Sequence, residues 1–370
     1  MENQLSNINN VLLMGPGPSC VSESVYEALS KPTLGHLDPS FIEIMDGIKE
    51  FLKELMGTNN LLTIPVSGTG SAGMETCFVN LIEPGDRVLI LINGVFGTRM
   101  EDIANRLGAE VDSMTFEWGK VVDLDLIKQK LLSKKYDIVS VVHAETSTGV
   151  CNPVDKIGEL VKENGALYLV DCVTSLGGLN LRMDEWHIDA LYSGTQKCLS
   201  CPPGLSPVSF SENALKKLSN RSTKVPNWYL DLSLITKYWS GNSRAYHHTA
   251  PINMLYGLYQ ACFNIMDEGM NNVINRHMEM HLELKKELDQ LNLKLFVEKE
   301  YRLPMLNSII IPEGKNDLEI RSRLLKEFNI EIGGGLGPLA GKIWRIGLMG
   351  ETAKNESIQK LMDAFRIVLN

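Results

Sequence analysis

Short apolar runs alternate with helical patterns through the first two thirds of the chain, and that alternation leaves few folds open. Residues 61–66, 88–92, 111–116, 137–142 and 166–170 each read as a strand, with helix-like spacing of apolar residues between them. Continuous apolar runs suit strands covered on both faces, as in a parallel sheet packed between helices. Such sheets bind ligands outside the carboxyl ends of their strands, so the residues after each run are the candidates for chemistry. The run 166–170 ends in Asp171, followed by Cys172, Val173, Thr174 and Ser175. The next, residues 186–192, leads through Ser193-Gly194-Thr195-Gln196 to Lys197.

Taken singly, Asp171 is an ordinary helix cap and Lys197 a solvated loop lysine. Together they supply what pyridoxal phosphate requires: an amine for its aldehyde, and an acid that keeps the ring nitrogen protonated so that the ring acts as an electron sink. A place for the phosphate lies earlier, at Ser67-Gly68-Thr69-Gly70-Ser71-Ala72-Gly73, between a strand and a helical pattern. Glycines there admit a ligand close to the backbone, and the free N–H groups of a helix start favour an anion. Gly68, Gly70 and Gly73 also satisfy GxGxxG, the dinucleotide fingerprint. That fingerprint wants an acid at the end of the next strand, whereas residues 88–92 end in Asn93 and Asp86 precedes them. A monophosphate is the better fit.

The chain has 370 residues, 44% hydrophobic and 22% charged, enough for a large core and a second, smaller domain. Its 36 Lys+Arg against 45 Asp+Glu give a net charge of −9, which argues against a nucleic-acid or anionic-membrane surface. No basic and apolar leader opens the sequence and no apolar run is long enough to span a bilayer, so a cytoplasmic protein is expected. The 7 cysteines suit reduced thiols. Cys198 and Cys201 have CxxC spacing without a second pair, and core or lining thiols are expected rather than a zinc site.

Gly15-Pro16-Gly17-Pro18 is a stiff turn after an N-terminal arm that is expected to reach a partner subunit. Helices are predicted over 23–29 and 39–56, with His36 in the connector as a packing or pocket residue. Phe96, after Asn93-Gly94-Val95, brings an aromatic to the crevice as a core residue or as a platform for a cofactor ring. His143, at the end of residues 137–142, reads first as a core histidine. Residues 205–210 suggest a strand reversing direction, 220–251 a long irregular region, and 254–291 one long helix linking two domains. In the irregular region, His247 and His248 are adjacent and diverge on an extended backbone, which disfavours a metal, while Tyr246 and Thr249 offer hydroxyls to a phosphate. Arg345 lies mid-strand among apolar residues, where it either snorkels to the surface or turns a guanidinium fork toward a substrate carboxylate.

The ordered set Gly15-Pro16-Gly17-Pro18, Ser67-Gly68-Thr69-Gly70, Asn93-Gly94-Val95-Phe96-Gly97, Glu145-Thr146-Ser147-Thr148-Gly149, Val170-Asp171, Ser193-Gly194-Thr195-Gln196-Lys197, Tyr246-His247-His248-Thr249 and Arg345-Ile346-Gly347 covers nearly the whole chain. It resembles the class V, fold-type I pyridoxal-phosphate aminotransferases, specifically the alanine-glyoxylate / serine-pyruvate family. The resemblance implies an α/β fold with a large, mainly parallel, seven-stranded-type sheet domain over 15–265, an arm over 1–14 and a smaller C-terminal α+β domain over 266–370 that the arm contacts. It implies that Lys197 holds the cofactor aldehyde, Asp171 the pyridine nitrogen, and that Thr69, Gly70, Ser71, Phe96, Thr146 and Gln196 line the cofactor. Tyr246 and Thr249 would reach the phosphate of a neighbouring subunit, and Arg345 with Gly17 would hold the substrate.

The expected activity is ping-pong transfer of an amino group from alanine or serine to glyoxylate or pyruvate through pyridoxamine phosphate, by a homodimer at least, with a tetramer left open. Phe96 stands where the animal enzymes carry tryptophan, and Ser71 where they carry histidine, which leaves the substrate preference open. Residues 196–200 and 337–345 also resemble the bacterial ureidoglycine-glyoxylate aminotransferases of purine catabolism, but that branch has asparagine where this chain has Tyr246. A cysteine desulfurase needs a mobile cysteine well after its lysine and a histidine before it; here the last cysteine is Cys262 and Gln196 precedes the lysine. A non-transaminating cofactor enzyme or a non-catalytic scaffold is disfavoured because Lys197, Asp171 and Arg345 all stand together.

Overall fold

The computed structural model describes residues 3–240 and 244–369. Its largest sheet has seven strands, which lie from edge to edge in the order Leu62–Ser67, Leu205–Phe210, Ala190–Tyr192, Leu167–Asp171, Ile138–Val142, Arg87–Ile92 and Glu110–Thr115. All run parallel except Leu205–Phe210, which is antiparallel to both of its neighbours. The expected reversal at residues 205–210 is that strand. Ile138–Val142 is buried at every position, as a central strand covered on both faces must be, whereas the edge strand Glu110–Thr115 is exposed or half-buried throughout.

Pairing decides what meets at the carboxyl ends. Leu169, Val170 and Asp171 lie opposite Ala190, Leu191 and Tyr192, so Asp171 stands beside the residue that opens the lysine loop. One neighbour further, Val142 lies opposite Asp171 and sends the chain on to Glu145 and Thr146.

One apolar cluster packs the seven-stranded sheet against its helices, with Ile90, Val141, Leu169 and Leu191 in it, and a second joins Met14 to Leu284, Leu288, Ile309, Leu324, Trp344 and Phe365. It packs around a three-stranded antiparallel sheet in which Ile343–Gly347 lies between Leu306–Ile310 and Gly333–Gly334. The indole of Trp344 stacks on Phe365 with ring centroids 5.7 Å apart.

The arm is tied to this second cluster, and two helical regions depart from the sequence reading. Leu12–Leu13 of the arm pairs in parallel with Ile330–Glu331, and Met14 enters the second cluster. The predicted helix over 254–291 is two helices, Ile252–Glu268 and Met270–Gln290. Gly269 between them takes φ 86°, which a right-handed helix cannot contain. Within the region read as irregular, Leu232–Trp239 is a helix; Asp231 caps it by accepting the Ser233 N–H, and Leu232, Ile235, Tyr238 and Trp239 are buried. A two-turn helix with an aromatic face carries too little periodicity to stand out in the sequence.

Candidate active site

Lys197 lies past the strand Ala190–Tyr192, in a loop held from two sides. Ser193 Oγ donates to the Cys172 carbonyl at 3.0 Å, tying the loop to the one after Asp171. Ser19 donates its N–H to the Gln196 carbonyl at 2.9 Å and its hydroxyl to the Lys197 carbonyl at 2.7 Å, tying it to the Gly-Pro turn. The ammonium of Lys197 donates to the Pro16 carbonyl. Gly17 passes directly over it with φ 109°, and a Cβ there would stand 2.6 Å from Nζ, so this crossing requires glycine.

Lys197 is 8% exposed. Burial, reinforced by the cation of Arg345, lowers its pKa to about 8, against the pull of Asp171 and Glu145. Asp171 is 3% exposed, and burial raises its pKa to about 7. Its carboxylate is oriented by the Val173 N–H at 2.8 Å and the Tyr192 hydroxyl at 2.7 Å. The acid and the amine thus feel one another across a dry crevice, each close to losing its charge.

Arg345 turns inward. It is 6% exposed, donating Nε to the Gly334 carbonyl at 2.8 Å and Nη1 to the Thr146 carbonyl at 2.9 Å. Burial lowers its pKa to about 10, opposed by the charge of Glu145. Two of its five N–H groups are engaged in these bonds, and among the described residues no other hydrogen bond occupies the fork, which leaves it open to a carboxylate. The alternative of a snorkelling side chain is excluded by its burial.

The helix Gly70–Leu81 starts at Thr69, whose exposed hydroxyl makes no capping bond; Gly70 is buried and Ser71 exposed. Gln196 is half-buried, its buried Oε1 has no partner among the described residues, and rotating the amide presents its NH₂ to an anion. His248 Nε2 lies 2.9 Å from Ser67 Oγ, joining the 244–249 segment to this helix start. Tyr246 is 61% exposed, with its hydroxyl 3.3 Å from Thr249 Oγ1 and its ring edge-on to His36 at 5.2 Å. His247 stacks on Trp228 at 4.4 Å. Phe96 is half-buried in the first turn of the helix Val95–Arg106, with the Arg99 guanidinium 4.9 Å from its ring centre.

His143 packs edge-on against Trp186 at 5.6 Å, and burial pushes its pKa down to about 4, leaving it a neutral packing residue. Cys198 and Cys201 are buried free thiols, and among the described residues no cluster of three His, Cys, Asp or Glu side chains is placed to hold a metal. Sequence reasoning passes over Pro16 and Tyr192 as partners of Lys197 and Asp171. Both stand in stretches that it singles out, but their contacts arise from strand register and from a chain crossing 181 residues away in sequence. Ser147 and the carboxylate of Glu145 stand out in the sequence only as members of a motif.

The family model described as Aminotransferase class-V matches residues 21–342. A rat protein named alanine–glyoxylate aminotransferase is 42% identical, over 97% of this chain and 87% of its own. A Bacillus subtilis protein named (S)-ureidoglycine–glyoxylate transaminase is 37% identical, over 96% of this chain and 90% of its own. The crystal structure of an alanine–glyoxylate aminotransferase from Nostoc sp. superposes with a TM-score of 0.96 at 46% identity, covering 100% of both chains. A mainly parallel sheet that brings a lysine and an acid to one crevice, met there by an arginine fork from the small antiparallel sheet, and matched along nearly the full length of these relatives, makes this chain an enzyme of the class V aminotransferase family, with the fold of the fold-type I pyridoxal-phosphate enzymes.

Proposed function

We propose that the enzyme binds pyridoxal 5′-phosphate through Lys197 and transfers an amino group from alanine or serine to glyoxylate or pyruvate. The observation that carries the reading is the facing pair of Lys197 and Asp171, both dry and shifted toward neutrality, with the Arg345 fork beside them. The residues fit the cofactor at its three polar points: an amine for the aldehyde, a buried carboxylate in want of a cation for the ring nitrogen, and the start of the helix Gly70–Leu81 with Thr69, Ser71 and the unpartnered Gln196 amide for the phosphate.

When bound, the cofactor supplies an aldehyde that accepts the amino group and a ring that draws electrons from the substrate α-carbon. Arg345 grips the substrate carboxylate and so aims the α-hydrogen at Lys197, with Gly17 above. Lys197, neutral in a dry cleft, takes the α-proton and returns it one carbon away. Asp171 would hold the ring nitrogen and keep it protonated, and Thr146 and Phe96 would line the ring. The second substrate reverses these steps, which gives ping-pong kinetics.

The exposed hydroxyl pair of Tyr246 and Thr249 supports a homodimer in which each subunit reaches the other's phosphate. The two large apolar clusters support a division into an arm over 1–14, a large domain over 15–265 and a small one over 266–370, with a third, smaller cluster of Ala144, Cys198, Leu303, Met305, Leu306 and Met349 across their boundary.

The test is the visible spectrum of purified protein, before and after L-alanine and again after glyoxylate. The cofactor band is expected to bleach with alanine and return with glyoxylate. A band that ignores alanine and serine but bleaches with ureidoglycine moves the enzyme to that donor, and failure to load pyridoxal phosphate overturns the reading.

Two further outcomes are expected. Arg345→Ala should lower kcat/KM for alanine roughly 10- to 100-fold, mostly through KM, the worth of a charge-assisted hydrogen-bond pair. Arg345→Lys should recover only part of this, because an ammonium cannot form the fork. Loading of the cofactor-free protein should accelerate with pH: only the neutral amine reacts, so the rate rises about tenfold per unit below the Lys197 pKa of about 8 and levels above it. A loading rate flat from pH 6 to 9 would show that another amine captures the cofactor.

A further inference from the structure

Glu145 is fully buried beyond the strand Ile138–Val142, and the chemistry above leaves it without a role. Its Oε1 accepts the Ser147 N–H at 3.0 Å and the Ser147 hydroxyl at 2.6 Å. The same hydroxyl oxygen accepts the N–H of Val95 at 3.1 Å. Val95 is the first residue of the helix Val95–Arg106, whose N-cap, Gly94, has no side chain to give. The N–H groups at a helix start need an outside acceptor, and here one comes from a loop 52 residues further along the chain.

The approach is close. A Cβ on Gly94 would lie 2.3 Å from Glu145 Cδ and 2.5 Å from Ser147 Oγ, so a glycine at the N-cap is the condition for seating the pair. Among the described residues Glu145 Oε2 is buried without a hydrogen-bond partner; burial raises the pKa of this carboxyl, opposed by Ser147 and by the Phe96 N–H. Between Glu145 and Ser147, the Thr146 carbonyl takes the Arg345 guanidinium. A buried, under-satisfied carboxylate is costly. The neighbour that this one serves is the first turn of the helix that carries Phe96.

We propose that Glu145 and Ser147 are positioning residues that set the ring of Phe96: the carboxylate orients the Ser147 hydroxyl, the hydroxyl caps the helix start, and the turn so held presents Phe96 to the cofactor ring. The proposal rests on Phe96 stacking on the cofactor, and its test separates the two. The dissociation constant of pyridoxal phosphate is measured by quenching of protein fluorescence in the wild type, Phe96→Ala, Ser147→Ala and the double variant. Phe96→Ala is expected to weaken binding about tenfold, the order of one aromatic stacking contact.

Ser147→Ala should weaken binding several-fold alone and by less than about twofold in the Phe96→Ala background, because it acts through that ring. Ser147→Thr, which keeps the hydroxyl, should restore both the affinity and the visible circular dichroism of the bound cofactor. Losses that add in the double variant, or a Ser147→Ala protein that binds as the wild type does, overturn the proposal while the stacking of Phe96 stands. A Phe96→Ala protein with unchanged affinity overturns the stacking and the proposal with it. If Ser147→Ala does not fold, Glu145→Gln takes its place in the same cycle with the same expected coupling.

Discussion

Lys197→Ala is expected to abolish turnover without harming the fold. In the proposed mechanism its amine captures the cofactor and moves the α-proton, and Lys197 is the lysine whose charge acts on Asp171. Loss of a positioned proton carrier alone costs roughly 10²- to 10⁴-fold, and loss of the covalent hold comes on top, so kcat should fall by at least about a thousandfold. Stability should move the other way. The buried ammonium has one hydrogen bond, to Pro16, and a pKa pulled down by burial, so its removal takes away a desolvated charge. Thermal melting of the cofactor-free variant is expected at or above the wild-type midpoint. Turnover within tenfold of wild type would remove Lys197 from the mechanism, and a lower midpoint would show that its stem supports the Gly-Pro turn.

Asp171→Asn is expected to lower kcat by roughly 10²- to 10³-fold, the range for removing one preorganised electrostatic partner of a transition state. KM should change little, because in the proposed arrangement Asp171 would face the ring and Arg345 would hold the substrate. The isosteric amide keeps an acceptor for the Val173 N–H and a neighbour for the Tyr192 hydroxyl, so the site geometry should survive. With its pKa near 7 in the cofactor-free protein, Asp171 is about half protonated at neutral pH and ionises fully when a cationic ring nitrogen faces it. Cofactor binding by the wild type should therefore release protons on the acid side of pH 7, and the Asn variant should lose that release. Steady-state kinetics with alanine and glyoxylate check the first expectation and calorimetry in buffers of different ionisation enthalpy the second. Unchanged kcat in the variant would end the role assigned to this carboxylate.

Much of the site is legible in the sequence, because its chemistry sits where local sequence is decisive. An apolar run ending in Asp171 and a small-residue loop ending in Lys197 are read from adjacent residues, and so is the glycine-rich start of the helix Gly70–Leu81. The antiparallel strand Leu205–Phe210 also shows itself, through the Pro202-Pro203-Gly204 turn that leads into it. Elements whose identity depends on a distant neighbour read poorly. Leu12–Leu13 is a strand only because Ile330–Glu331 lies beside it, and Leu232–Trp239 is a helix held by its buried aromatic face. The break at Gly269 turns on one backbone angle within a pattern that otherwise runs on.

The sequence by itself determined which residue types face the crevice, since strand ends in a parallel sheet all open to one side and the period of two leaves each side chain a face. Only the tertiary structure decided what those residues are to one another. Burial turns Lys197 toward neutrality and Asp171 toward protonation, and burial belongs to the packed whole and to no local stretch. Arg345 had two rotamer fates on one strand, and the carbonyls of Gly334 and Thr146 chose between them. The Glu145–Ser147 cap on Val95 joins residues that share no pattern, because a hydrogen bond across a fold follows distance in space, which loop lengths and strand order set together.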